Sequence, residues 1–233
     1  MELAESPVLN KPRRGKIMKI HQKGFTLVEI AIVLVIIGLL LGGILKGQEM
    51  IVQAKIKNAM ADFSGISAAY HGYQDRYRKI PGDDDGAAAR WTTPTAATNG
   101  DGNGTVAGKY NNGGVVCTAA IESCSWWDHL RRSGFVAGNG SAPPTNAFAG
   151  ILGVQTGNSA GGTVMNGFSS LIICSANVPD KVAIAIDTSM DDGISSTGGV
   201  RAELQTAPNP DVGSTSAAYA ENGTNIYVLC RQI

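Results

Sequence analysis

Lys23-Gly24-Phe25-Thr26-Leu27-Val28-Glu29 opens the longest apolar stretch of this 233-residue chain, and its reading decides the fold. From Ile30 to Leu45 no residue is charged. Phe25 to Leu45 is long enough to cross about 30 Å of hydrocarbon as a helix. Glu29 is the sole charge in that segment. An acid near the centre of a span costs about 2.5–3.5 kcal/mol. Such a carboxylate needs a partner. Cutting the chain after Gly24 would create one, an α-amine with an ordinary pKa near ~7.7–8. Two buried charges of opposite sign offset each other's desolvation, whereas either alone is penalised.

The run K-G-F-T-L-V-E resembles the N-terminal signature of type IV prepilins and type II secretion pseudopilins. The resemblance implies a cut after Gly24 by a prepilin peptidase/methyltransferase and N-methylation of Phe25. It implies that Glu29 meets the terminal amine of a neighbouring pilin subunit, so that the chain becomes part of a pilus or secretion filament. It also implies an α+β fold, in which a long N-terminal helix packs against a small, loop-rich antiparallel sheet. The chain then divides into a leader (1–24), a helix (25–80) whose first part (25–46) spans the membrane, and a head (81–233). Weaker matches in the head point the same way: Ile80-Pro81-Gly82-Asp83, Gly100-Asp101-Gly102-Asn103-Gly104, Trp127-Asp128-His129-Leu130 and Asp191-Asp192-Gly193 resemble bacterial prepilin-like proteins.

Charge supports this orientation. Residues 1–24 carry six Lys or Arg against Glu2 and Glu5, while the remainder is net acidic. Basic residues stay on the cytoplasmic side, which places a single-pass chain in the inner membrane with its head in the periplasm, or outside once assembled. Met18 offers a second start and a shorter leader. An ordinary signal peptide needs a small-residue cleavage site after the apolar run, and Gly42-Gly43-Ile44-Leu45-Lys46-Gly47 fits poorly. A membrane-anchored periplasmic binding protein that does not polymerise is the alternative, and it leaves Gly24 and Glu29 unexplained. A minor pseudopilin at a type II secretion tip is another.

The helical pattern continues past the membrane. Ile51, Val52, Ile56, Ala59, Met60, Phe63, Ile66, Tyr70, Tyr73 and Tyr77 recur at steps of three and four, which is an amphipathic stripe. Ile80-Pro81-Gly82 stops it. Residues 82–114 read as a long polar connection. Ser125 to Arg132 reads as a short helix burying Trp126, Trp127 and Leu130. Phe148 to Val154, Phe168 to Cys174 and Asn225 to Cys230 read as strands. Val178 to Met190 follows helical spacing, with Pro179 near its start.

Four cysteines lie beyond the apolar segment and suit an oxidising compartment. Cys117 with Cys124 closes a small loop, and Cys174 with Cys230 joins the ends of two β-rich runs. Metal ligation is the alternative, although no C-x-x-C occurs. In the polar connection, Asn99, Asp101 and Asn103 resemble the start of a calcium loop, with Asp83, Asp84 or Asp85 as helpers. The first position is Asn and the twelfth is Tyr110, which excludes an EF-hand. A flexible turn is the preferred reading. Asp187, Asp191 and Asp192 sit at a helix C-terminus, where a cation or a solvated turn would relieve them.

Enzyme chemistry is not expected. Gly157-Asn158-Ser159-Ala160-Gly161 has the G-x-S-x-G spacing, but Gly162-Thr163-Val164 does not begin the helix a nucleophile elbow needs. His129, the head's lone histidine, precedes that serine. No phosphate-binding loop or basic face appears, so nucleic acid is not an expected partner.

Overall fold

The computed structural model describes residues 24–112, 117–157 and 164–233. The leader up to Lys23, and the Asn158–Gly161 part of the G-x-S-x-G run, lie outside the described residues. Helix α1 runs Leu27–Tyr77. It ends at Arg78, whose φ of 56° is left-handed and whose N–H bonds the Gln74 carbonyl at 2.8 Å. A left-handed residue just past the last turn is how many helices stop.

The chain forms two compact units, one ending at Gly47 and one comprising Gln48–Ile233. In the first, every described residue from Gly24 to Lys46 is exposed. This part of α1 belongs to a helix long and apolar enough to cross a membrane.

In the second unit, α1 buries Ile56, Ala59, Phe63, Ile66, Ala69 and Tyr73. These residues keep the three- and four-residue spacing read from the sequence. Ile51 and Val52, placed in the same stripe, are 59% and 42% exposed. The stripe starts later because the core that covers it begins at Ile56.

Four antiparallel strands make one sheet: β1 (Leu152–Thr156), β2 (Leu171–Pro179), β3 (Val200–Leu204) and β4 (Ile226–Gln232), in spatial order β1-β2-β4-β3. Both faces of the two central strands are buried. Ile173 and Val178 of β2 and Tyr227 and Leu229 of β4 join the α1 core. Ile172, Cys174, Ala176, Val228 and Cys230 form a second cluster with Tyr110, Met165 and Phe168. That is why β2 and β4 read as nearly unbroken apolar runs rather than alternating ones.

The expected strands shift in their bounds. Phe148 to Gly150 is a turn, because the Asn146 side chain accepts the Phe148 and Gly150 amides at 2.8 Å each. The strand starts at Leu152 instead. Phe168 pairs only in an isolated bridge with Val164, and β2 runs from Leu171 to Pro179. Val178, expected in a helix, is in β2. A register shift between Ser175 and Val178, with Asn177 at φ 58°, carries the strand on to the helix start.

Among the described residues the unit has three further helices: α2 (Ala87–Arg90), α3 (Glu122–Arg132) and α4 (Asp180–Met190). Pro179 is the N-cap of α4. Helix α3 starts three residues earlier than expected, and Trp126, Trp127 and Leu130 are buried as expected. The polar connection is more ordered than its composition suggests. It contains α2 and contributes the buried residues Val106 and Tyr110. Disulfides join Cys117 to Cys124 and Cys174 to Cys230, the latter pair lying opposite each other in β2 and β4.

Candidate processing and assembly site

Gly24 and Phe25 precede the first turn of α1. A Cβ built on Gly24 meets nothing within 4 Å, and Phe25 is 83% exposed. Both residues that flank the expected cut are thus exposed. Four residues after Phe25, Glu29 turns back on its own helix. Its Oε2 accepts the Thr26 amide at 2.7 Å and the Thr26 hydroxyl at 2.8 Å. The Glu29 amide in turn donates to the Thr26 hydroxyl at 3.3 Å. This is a capping box, in which Thr and a Glu three residues later satisfy reciprocal amides at a helix start. The negative charge also faces the positive end of the helix dipole. Sequence reasoning assigned Glu29 only to a partner's amine. The T-x-x-E spacing of Thr26 to Glu29 was the available signal for this second use.

The candidate cation ligands of the head are already hydrogen-bonded: the Asn103 amide and side-chain NH2 donate to Asp101 at 3.0 and 2.8 Å. The Asn99 side-chain oxygen accepts the Ala88 amide at 2.7 Å, and that of Asn103 accepts the Thr105 amide and hydroxyl at 2.8 and 2.6 Å. Of the three residues read as a calcium loop, Asp101 joins a cluster of carboxylates. Its carboxylate lies with those of Asp83 and Glu122, the oxygens within 4.8 Å of one another. Glu122 lies on α3, 21 residues away, and nothing in the local pattern marks it.

Oxygen-rich clusters of this kind are what a hard cation takes. Each buried carboxylate here already has backbone donors. Asp83 accepts the Asn103 and Gly104 amides at 2.9 and 2.8 Å. Glu122 accepts the Asp101 and Ala107 amides, both at 2.9 Å. Burial pushes the pKa of both Asp83 and Glu122 upward, and those amides work against the shift. Asp85, the third helper, pairs with Lys79 at 2.8 Å.

Asp84 serves another network. It accepts the Tyr73 hydroxyl and the Arg90 guanidinium at 2.5 and 2.6 Å. Burial alone would raise its pKa, but Arg90, Tyr73 and the Gly86 amide hold it below the ordinary carboxylate value. The second acidic group is likewise bonded. Asp187 accepts Tyr219 and the Gly193 amide, Asp191 the Val200 amide, and Asp192 the Ile194 amide and Thr197 hydroxyl.

His129 is fully buried and bonds two separate loop segments. Its Nδ1 accepts the Gly82 amide at 2.9 Å, and its Nε2 lies 2.8 Å from the Thr98 carbonyl. An amide only donates and a carbonyl only accepts, so the ring is neutral with its proton on Nε2. Burial pushes its pKa down. The chemistry of these side chains is that of structural knots: each polar atom named is spent on the backbone or on a neighbour.

No curated protein and no solved structure matches the chain. Residues 19–45 match the prokaryotic N-terminal methylation motif, the prepilin-type signature, and with the exposed apolar helix behind it this motif supports a type IV pilin- or pseudopilin-like precursor.

Proposed function

We propose that the chain is the precursor of a structural subunit of a type IV pilus or type II secretion filament. A prepilin peptidase cuts after Gly24 and Phe25 is N-methylated. Inner-membrane subunits then polymerise through the apolar half of α1, with the heads on the periplasmic side. The reading rests on one observation: exposed Gly24 and Phe25 directly ahead of the exposed apolar half of α1, whose sole charge up to Leu45 is Glu29 in the first turn. In a filament the apolar surface of residues 25–45 leaves lipid for neighbouring helices. Glu29 then exchanges part of its cap for the new cationic terminus of a neighbour. The capping box favours a second reading, in which Glu29 serves only its own helix and the chain is an anchor that does not polymerise.

Three variants separate the readings. Gly24→Val should leave the leader attached, and a normal Phe25 terminus by mass spectrometry would refute the cleavage assignment. Glu29→Ala should be cut and retained in the membrane but be missing from sheared filaments. Glu29→Gln keeps an oxygen for the Thr26 cap without the charge. If Gln assembles as well as wild type, the paired-charge account fails and the cap suffices. For a hard cation in the head, Asp83, Asp101 and Glu122 are the residues to test, by calcium titration of the head's tryptophan fluorescence.

A further inference from the structure

We propose that the cleft between residues 91–95 and 139–140 binds an acidic sugar, a pyranose carrying one carboxylate. The cleft has a volume of about 700 Å³, within the usual range for small-ligand sites. Trp91 and Thr93 line one rim and Asn139 the other, while Asp128, Arg131 and Arg132 of α3 contribute to the same cleft. The rims are tied to α3 by its guanidinium groups. Arg132 donates to the Thr93 and Thr95 carbonyls at 3.4 and 3.0 Å. Arg131 donates to the Gly140 and Ala142 carbonyls at 2.7 and 2.6 Å. The opening is thus preformed by hydrogen bonds to backbone.

Its charge is incomplete. Arg132 neutralises Asp128 at 2.7 Å. Arg131 has no ion pair among the described residues and bonds only neutral carbonyls. Burial pushes its pKa down, and the nearby Asp128, whose carboxylate is already paired with Arg132, opposes that shift without cancelling it. One ligand carboxylate would balance the cleft.

The remaining lining suits a sugar, with part of the Trp91 ring packed on Tyr77 and Arg90 and part lining the cleft. Trp126 and Trp127 are buried, whereas Trp91 is only half-buried in the cleft. An indole offers an apolar wall to the C–H face of a pyranose. Thr93, Thr95 and Asn139 are exposed and supply hydroxyl and amide partners for sugar hydroxyls. A phosphate monoester carries more charge than one uncompensated guanidinium balances. This inference concerns the head alone and stands whether or not the chain polymerises.

The test uses the full chain in neutral detergent micelles, with trigalacturonate as probe and galactotriose as its uncharged counterpart. Trp91 fluorescence should change saturably with trigalacturonate, and the response should weaken with added salt. Asn139→Asp places a like charge on an exposed rim position. It should weaken trigalacturonate binding about tenfold, the scale of one charge-assisted hydrogen bond, while leaving the fold intact by circular dichroism. Arg131→Gln should abolish the response. Failure of trigalacturonate to saturate the signal, an equal response to galactotriose, or an equal response to a triglutamate peptide would overturn the proposal.

Discussion

His129→Leu tests whether a buried imidazole holds the polar connection to α3. The ring is fully buried and carries two backbone bonds, from the Gly82 amide and to the Thr98 carbonyl. Leucine is of similar bulk but supplies neither bond. Each stranded buried group costs about 1–3 kcal/mol, so the pair costs about 2–6 kcal/mol. A domain of this kind has about 5–15 kcal/mol in all, so the loss is large. Urea unfolding followed by tryptophan fluorescence reads it, since Trp91, Trp126 and Trp127 all lie in the Gln48–Ile233 unit. The pH dependence has a definite sign. Burial lowers the folded pKa below the unfolded value near ~6.5. The stability this residue contributes is therefore complete above the unfolded value and lost as pH falls through the folded one. Asp84 and Asp128 favour the protonated ring, and Arg132 opposes it. Asp83 and Glu122 shift in the other direction and titrate in both proteins. The difference between wild type and variant isolates the histidine. That gap should be widest near neutrality and narrow on acidification. A variant within about 0.5 kcal/mol of wild type at neutral pH, the usual range for a surface change, would refute the latch. So would a gap that widens in acid.

Two further outcomes follow from the head's geometry. Cys174 and Cys230 are 56 residues apart and Cys117 and Cys124 only 7; chain entropy gives about 4 and about 2.5 kcal/mol respectively. Cys174→Ser should therefore be digested faster than Cys117→Ser in limited proteolysis, and equal rates would count against the loop-entropy account. Gly100→Ala places a Cβ 2.4 Å from the Asp83 backbone and the Gly82 carbonyl, whereas Gly38→Ala meets nothing within 4 Å. Only the first should lower the unfolding free energy, by about 1–3 kcal/mol of overpacking or more, and with it the urea midpoint; an unchanged midpoint would show that the 82–83 backbone yields.

Patterns with a period were legible in the chain. The stripe from Ile56 to Tyr73 follows the helix repeat, and β2 and β4 declare themselves as apolar runs because both of their faces are covered. Val200-Arg201-Ala202-Glu203-Leu204 alternates in burial as a half-buried strand should, yet five residues in a Gly- and Ser-rich stretch make a short signal. The cap at Thr26 was overlooked for a physical reason: the membrane cost of Glu29 pointed outward to a partner, and the local bond to Thr26 lowers that same cost. What no local pattern reveals is which acids the fold gathers. Asp101 meets Glu122 only because α3 packs beside the 99–107 loop, which is a tertiary event.

Those gathered acids explain how a head with four short strands orders so much irregular chain. Backbone amides in the 100–107 and 220–224 segments lack a strand to bond, and a buried orphan amide is costly. Asp83 and Glu122 accept four such amides in the first segment. In the second, Asp180 accepts the Asn222 and Gly223 amides at 2.9 and 2.7 Å. Each carboxylate stands in for a missing neighbouring strand, and a charged acceptor bonds an amide more strongly than a carbonyl does. Asp-Gly and Asn-Gly pairs recur for the same reason, since the acceptor needs a turn that glycine permits, as at Gly102 and Gly104 with φ 74° and 88°. The motif that resembled a calcium loop is, in its bonds, a loop whose amides fold around carboxylates from outside it, Asp83 and Glu122. A cation that enters must therefore share Asp83 and Glu122 with backbone donors already in place.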